Sequence, residues 1–164
     1  NDFPPLVADE QTMLASWLDF HRRTLLGKCD GLGPEQLAAR SVPPSTLSLL
    51  GLVRHMAEVE EHWFCRVFLD EKLPRRYTSR DDPDGAFDGA SADNAADGFA
   101  AFDAGCARAR LVVAGVGSLD EVGRRRFGDH DVSMRWILVH MIEEYARHNG
   151  HADLLRQAID GAVG

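Results

Sequence analysis

Cysteine is scarce and scattered in this chain. Only Cys29, Cys65 and Cys106 occur among 164 residues, and no two form a CxxC pair. An odd, dispersed set excludes a disulfide framework and suits a reducing compartment. None lies in a nucleophile motif, so buried or spectator thiols are expected. Basic charge is also in short supply: 18 Lys and Arg face 26 Asp and Glu, for a net charge of −8. That balance argues against binding to a nucleic-acid backbone, which needs clustered cations. The dense basic run Arg124-Arg125-Arg126 is too short to reverse it and reads as a solvated loop. No apolar run approaches the roughly 18–20 residues of a membrane span. The opening NDFPPLVADEQ has neither a charged n-region nor an apolar h-region, so a cytoplasmic location is expected. Strand pairs and internal repeats are missing too.

What is present is helical periodicity. Hydrophobic residues make up 45% of the chain, enough for one domain, 1–164, with a core of its own. Leu14, Trp17, Leu18, Leu25 and Leu26 predict a first helix over Val7 to Asp30, stopped by Gly31 and Gly33. GPEQLAARSVPPS reads as a short helical turn and a Pro-Pro corner that cannot continue it. Ser45 or Thr46 is the expected N-cap of a second helix. It runs to about Leu69 with Leu49, Leu52, Met56, Val59, Trp63 and Val67 on its apolar face. Pro74 to Ala92 lacks periodicity and reads as a long loop, a class that is often functional. A third helix is expected from Asp93 to Val116, turning Ala95, Phe99, Phe102, Cys106, Ala109 and Val113 inward. Gly98 and Gly105 weaken it, at about 1 kcal/mol each relative to Ala. After a second loop, a fourth helix runs from Ser133 to about Ile159, and Gly161 ends it. The architecture expected is all-α, a four-helix bundle with two long connections; a different all-α packing is the alternative.

The chemistry gathers in the fourth helix. His140, Glu144, His148 and His151 recur at three- and four-residue spacing and therefore share one side of it. Projection places His148 near the middle of the apolar face defined by Ile137, Met141, Tyr145, Ala152, Leu155 and Ile159. Glu144 lies within that face, and His140 and His151 lie at its margin. An ionised carboxylate cannot be buried unpaired, so Glu144 needs a cation, a proton or an Arg. With His148 one turn away, a metal is the simplest cation; a Glu–His or Glu–Arg brace is the competing reading. His55, beside Leu52, Val59 and Trp63, can reach across from the second helix, with His62 as a second choice. His21 and His130 have no such context and are expected to be solvated. HExxH is absent, and so is ExxH, which excludes zincin and di-iron patterns. A mononuclear site with two His and one Glu remains, and such a triad leaves a position open.

The segments VPPSTLSLLGLVRHMAEVEEHWF and SMRWILVHMIEEYARHNGHADLLRQAIDG resemble the DinB-like superfamily, in an actinobacterial branch once labelled a domain of unknown function. With the first helix, the likeness spans nearly the whole chain. The resemblance implies a DinB-like four-helix bundle holding one divalent ion, zinc or nickel. One ligand would come from the second helix, matching His55, and two from the fourth, one turn apart. Where many relatives carry HxxxH, this chain has Glu144 and His148, a set similar to that of mycothiol-dependent maleylpyruvate isomerase. Characterised relatives transfer bacillithiol, mycothiol or glutathione. The resemblance therefore implies a metal-dependent thiol S-transferase that uses mycothiol, a largely uncharged thiol, against an electrophile. His151 would orient a ligand or touch the bound substrate. The partners implied are small molecules, neither nucleic acid nor membrane, with a homodimer allowed. The alternatives are an isomerase or hydrolase on the same metal, or a non-catalytic metal-binding stress protein.

Overall fold

The computed structural model describes residues 3–164. In order they form α1 (Glu10–Cys29), α2 (Pro34–Ala38), α3 (Leu49–Glu60) and a π-helical continuation of α3 (Glu61–Phe68). After these come α4 (Gly85–Asp88), a 3₁₀ turn (Ala92–Asn94), α5 (Ala95–Ala114) and α6 (Met134–Asp160). Among the described residues there is no strand, only the isolated bridges Val122 to Ser133 and Phe127 to His130. The all-α bundle expected from periodicity is the fold. Helix α1 lies along α6, α3 lies along α5, and α3 also meets α6. No helix among the described residues is long and apolar enough to cross a membrane.

Local chemistry sets the helix ends. The Asp9 carboxylate accepts from Thr12 N at the start of α1, and Ser133 caps α6 by accepting from Trp136 N. Gly161 closes α6 at φ 80°, a left-handed conformation that favours glycine. The cap of α3 is Ser48, accepting from Gly51 N, rather than Ser45 or Thr46. Ser45 is used earlier, where its hydroxyl accepts from Leu47 N at 3.2 Å and turns the chain.

The two glycines that weaken α5 on propensity have a packing reason. A Cβ at Gly98 would stand 3.0 Å from Leu50 Cδ1, and one at Gly105 would stand 3.3 Å from Glu60 Cβ. The close approach of α3 and α5 needs both positions bare, and that packing offsets the propensity cost. Around this contact Leu18, Leu25, Leu52, Met56, Phe64, Phe102, Ile137 and Met141 are all buried to within 1%.

A charge lies at the centre of that core. Glu60 is fully buried and Arg22 is 3% exposed. Arg22 donates to both Glu60 oxygens, Nε at 2.8 Å and Nη2 at 2.6 Å. Tyr145 adds its hydroxyl to Oε1 at 2.7 Å. The fork-to-fork geometry compensates a carboxylate that could not otherwise be buried, and it ties α1, α3 and α6 at one point.

The 74–92 segment is more ordered than its composition implies, because it contains α4 and leads into a 3₁₀ turn capped by Ser91. Two charges of α3 hold it. Arg54 donates to Ala86 O at 2.9 Å and Gly85 O at 3.2 Å. The Glu58 carboxylate accepts from the N–H groups of Arg76, Tyr77 and Thr78.

Candidate metal centre

Capped at both ends, α6 carries Glu144 and His148 one turn apart, with His148 Nε2 3.4 Å from Glu144 Oε2. The other carboxylate oxygen, Oε1, is 3.6 Å from His140 Nε2. Glu144 thus stands between two imidazoles. From α3, His55 brings its ring edge-on to His148 at 4.8 Å between centroids, and stacks its face on Phe87 of α4 at 5.1 Å. Ligand atoms of His55, Glu144 and His148 all lie within 4.8 Å of one another.

The electrostatics favour a cation at this point. Burial, and then the neighbouring His148, push His55 down to about 4, so at neutral pH it is the uncharged base that a metal requires. The hydrogen bond from His148 holds the Glu144 carboxyl below the ordinary range against the opposing effect of burial. One carboxylate and two imidazoles are a borderline donor set suited to zinc and its neighbours in the first transition row.

The remaining histidines divide by position. His151 Nδ1 is 3.3 Å from His148 Nδ1, so one of the two nitrogens must carry the shared proton. His140 is stacked on Trp136 at 4.8 Å and lies edge-on to Trp63 at 4.9 Å. With Glu143 and Glu144 it forms a second group of closely spaced ligand atoms. Glu143, however, has a side chain 56% exposed. His62 lies with Trp63 and Phe127, outside both groups. His130 is exposed, as expected. His21 departs from expectation: it is half-buried, and Asn149 reaches its ring and its carbonyl.

All three cysteines are buried and unpaired with one another. Burial pushes the thiols of Cys29 and Cys106 up to about 12 and raises Cys65 as well. None supplies a thiolate at neutral pH.

Sequence reasoning missed the residues that frame the site. Arg54 and Glu58 flank His55 on α3, Phe87 backs it, and Arg66 and Arg75 line a cleft beside it. A signal existed for Arg54 and Glu58, since both are charges on a helix with little solvated face. Their partners are backbone groups of a loop without periodicity, and no pattern announces those.

Residues 13–161 match the family model described as mycothiol-S-transferase. Among solved structures, the chain is similar to a conserved protein from Enterococcus faecalis, with a TM-score of 0.66 and 14% identity. That alignment covers 95% of this chain and 100% of the other, and at such identity it speaks for the fold alone. No curated protein matches the sequence. The family match spans all four long helices, both connections and every residue of the His–Glu–His group, and on that ground the chain belongs to the mycothiol-S-transferase family, with a DinB-like bundle.

Proposed function

We propose that the chain is a metal-dependent thiol S-transferase that joins mycothiol to electrophilic small molecules. The observation that carries this reading is the convergence of His55, Glu144 and His148 from two facing helices, beside a cleft. Three protein donors leave room for a further ligand, the arrangement of a catalytic rather than a structural site. A divalent ion held there, zinc or nickel, supplies activation of the thiol, because a coordinating thiol is deprotonated at neutral pH.

The protein's own part is to hold and orient. Glu144 offers the negative charge that offsets a cation, and His140 steadies its second oxygen. His151 Nδ1 faces His148 Nδ1 at 3.3 Å and would orient that ring with Nε2 toward Glu144 and an ion, the usual role of a group behind a metal-bound imidazole. Phe87 covers one face of His55 and keeps water from it. The chain's cysteines take no part. In the net reaction the thiol sulfur bonds to the electrophilic carbon, the leaving group departs with its electron pair, and the thiol proton is released.

Elemental analysis of the purified protein, together with His148→Ala, tests the site. The wild type should hold close to one zinc or nickel per chain. The variant should lose most of it and keep its helical circular dichroism. Full metal content in the variant overturns the ligand assignment. Mycothiol with a chloromethyl electrophile tests the reaction: conjugation should require both metal and thiol. Turnover without any thiol would instead make the protein a metal-dependent hydrolase or isomerase.

A further inference from the structure

Between the π segment and the 74–92 loop lies a cleft of about 300 Å³, lined among others by His55, His62, Arg66, Arg75, Thr78 and Phe87. We infer that this cleft seats an anionic group, a carboxylate on the electrophile, with Arg66 and Arg75 as its partners. The inference rests on the thiol-transferase reading and assigns that reaction a class of acceptor.

Arg66 carries the argument. It is only 6% exposed, yet its Nε has no hydrogen-bond partner among the described residues. Its Nη2 donates to Glu61 Oε2 at 3.3 Å, at the long end of the hydrogen-bond range. The other oxygen of that carboxylate, Oε1, accepts from Arg76, from Nε at 3.2 Å and from Nη2 as well. One carboxylate therefore serves two guanidinium groups. A buried guanidinium left short of acceptors is costly, and a carboxylate in the cleft that Arg66 lines would add an acceptor suited to the planar donor set of arginine.

The surroundings favour the same sign of charge. Arg66 comes from the π segment, Arg75 from the loop after it, and Arg125 from the loop before α6. Arg125 is fixed by its backbone N–H to Val67 O at 3.1 Å. All three are close enough to His62 to add to the burial that holds its imidazole uncharged. Two carboxylates also line the cleft. That of Glu58 is occupied by three backbone N–H groups, and Asp84 is exposed to solvent. The π-helical turn matters here, since such widened turns concentrate at functional sites; it spans both His62 and Arg66. Mycothiol is largely uncharged and has no need of a buried arginine, which leaves the electrophile as the anion. His55 lines the cleft and also belongs to the metal triad, so a carboxylate at Arg66 places the rest of the acceptor toward the thiol.

The test compares 4-(chloromethyl)benzoate with its methyl ester, using mycothiol and the protein as purified. In both, sulfur bonds to the benzylic carbon as the carbon–chlorine bond breaks. Chloride leaves with the bonding pair, and the thiol proton passes to solvent. The wild type should favour the benzoate in kcat/KM by about 10-fold or more, the scale of one charged hydrogen-bond pair. Arg66→Gln and Arg75→Gln should each lower that ratio. A ratio near one in the wild type, or one untouched by both variants, overturns the proposal. Should Arg66→Gln fail to fold, as judged by circular dichroism, the exposed Arg75→Gln decides by the same ratio. If neither acceptor is conjugated, the transferase reading falls, and the subsite is judged by titrating sodium benzoate against the protein's intrinsic tryptophan fluorescence. Saturable quenching that Arg75→Gln weakens upholds the subsite. No quenching, or quenching equal in both proteins, overturns it.

Discussion

Removing the Glu60 side chain should destabilise this protein by about 4 kcal/mol, as much as the costlier truncations of an apolar core. The carboxylate is fully buried, held by two Arg22 hydrogen bonds of 2.8 and 2.6 Å and one from Tyr145 at 2.7 Å. In Glu60→Ala, Arg22 stays in the core as an uncompensated cation, a loss that costs about 3–5 kcal/mol when one member of a buried pair is deleted. Arg22 keeps one partner, Asp19 at 2.8 Å, which brings the figure toward about 3 kcal/mol. The orphaned Tyr145 hydroxyl adds about 1 kcal/mol. A total of about 4 kcal/mol lowers Tm by on the order of 10 °C in a chain of this size. Urea denaturation followed by circular dichroism measures it. The companion variant Arg22→Met with Glu60→Leu removes both charges and keeps apolar volume, and should recover most of the loss. If Glu60→Ala cost less than about 1 kcal/mol, the charge argument would be wrong. If the double variant were as unstable as the single one, packing rather than charge would be the cause.

Two further outcomes follow from the buried titratable groups. Changing Cys29, Cys65 and Cys106 together to Ser should leave thiol-dependent conjugation within a few-fold of wild type, because burial holds Cys29 and Cys106 up at about 12; a metal-loaded but inactive variant would point to a protein nucleophile instead. His62 is pushed down to about 4 by burial and by Arg66, Arg75 and Arg125, whereas an unfolded histidine titrates near about 6.5. Between those values the unfolded chain takes up a proton that the folded ring refuses. Stability is therefore intact above about pH 6.5 and falls as pH drops toward about 4. His62→Gln should flatten that slope by at most about 1.4 kcal/mol per pH unit, read from urea midpoints; parallel slopes in the two proteins would refute it.

The parts of this molecule that were legible in its sequence are those whose determinants are local. Ser133 and Gly161 bracket α6 because caps act within a turn of themselves. Glu144 and His148 stand out because residues four apart share a helix face. The same reasoning could have found Glu60, one turn beyond Met56 on the buried side of α3, and Arg22, one turn beyond Leu18. Ser48 could not be told from Ser45 and Thr46, since all three precede the same apolar run and only the path of the chain decides. The burial of His21 depends on Asn149, far away along the chain.

The 74–92 segment shows why a loop without periodicity can still build one wall of a site. Its own residues carry little information about where it lies. That information is stored on α3, one residue before His55 and three after it. Arg54 takes the carbonyls of Gly85 and Ala86 and lies over the Tyr77 ring at 4.1 Å. Glu58 takes three successive N–H groups at the other end. Both side chains are under 8% exposed, so the charge-assisted bonds form where water competes least. Held at two points, the loop has little choice but to set Phe87 against the His55 ring. The helix that offers a ligand to the candidate metal centre thus also fixes the loop that covers it, and changes to Arg54 or Glu58 will be felt at His55 although neither residue belongs to the His–Glu–His group.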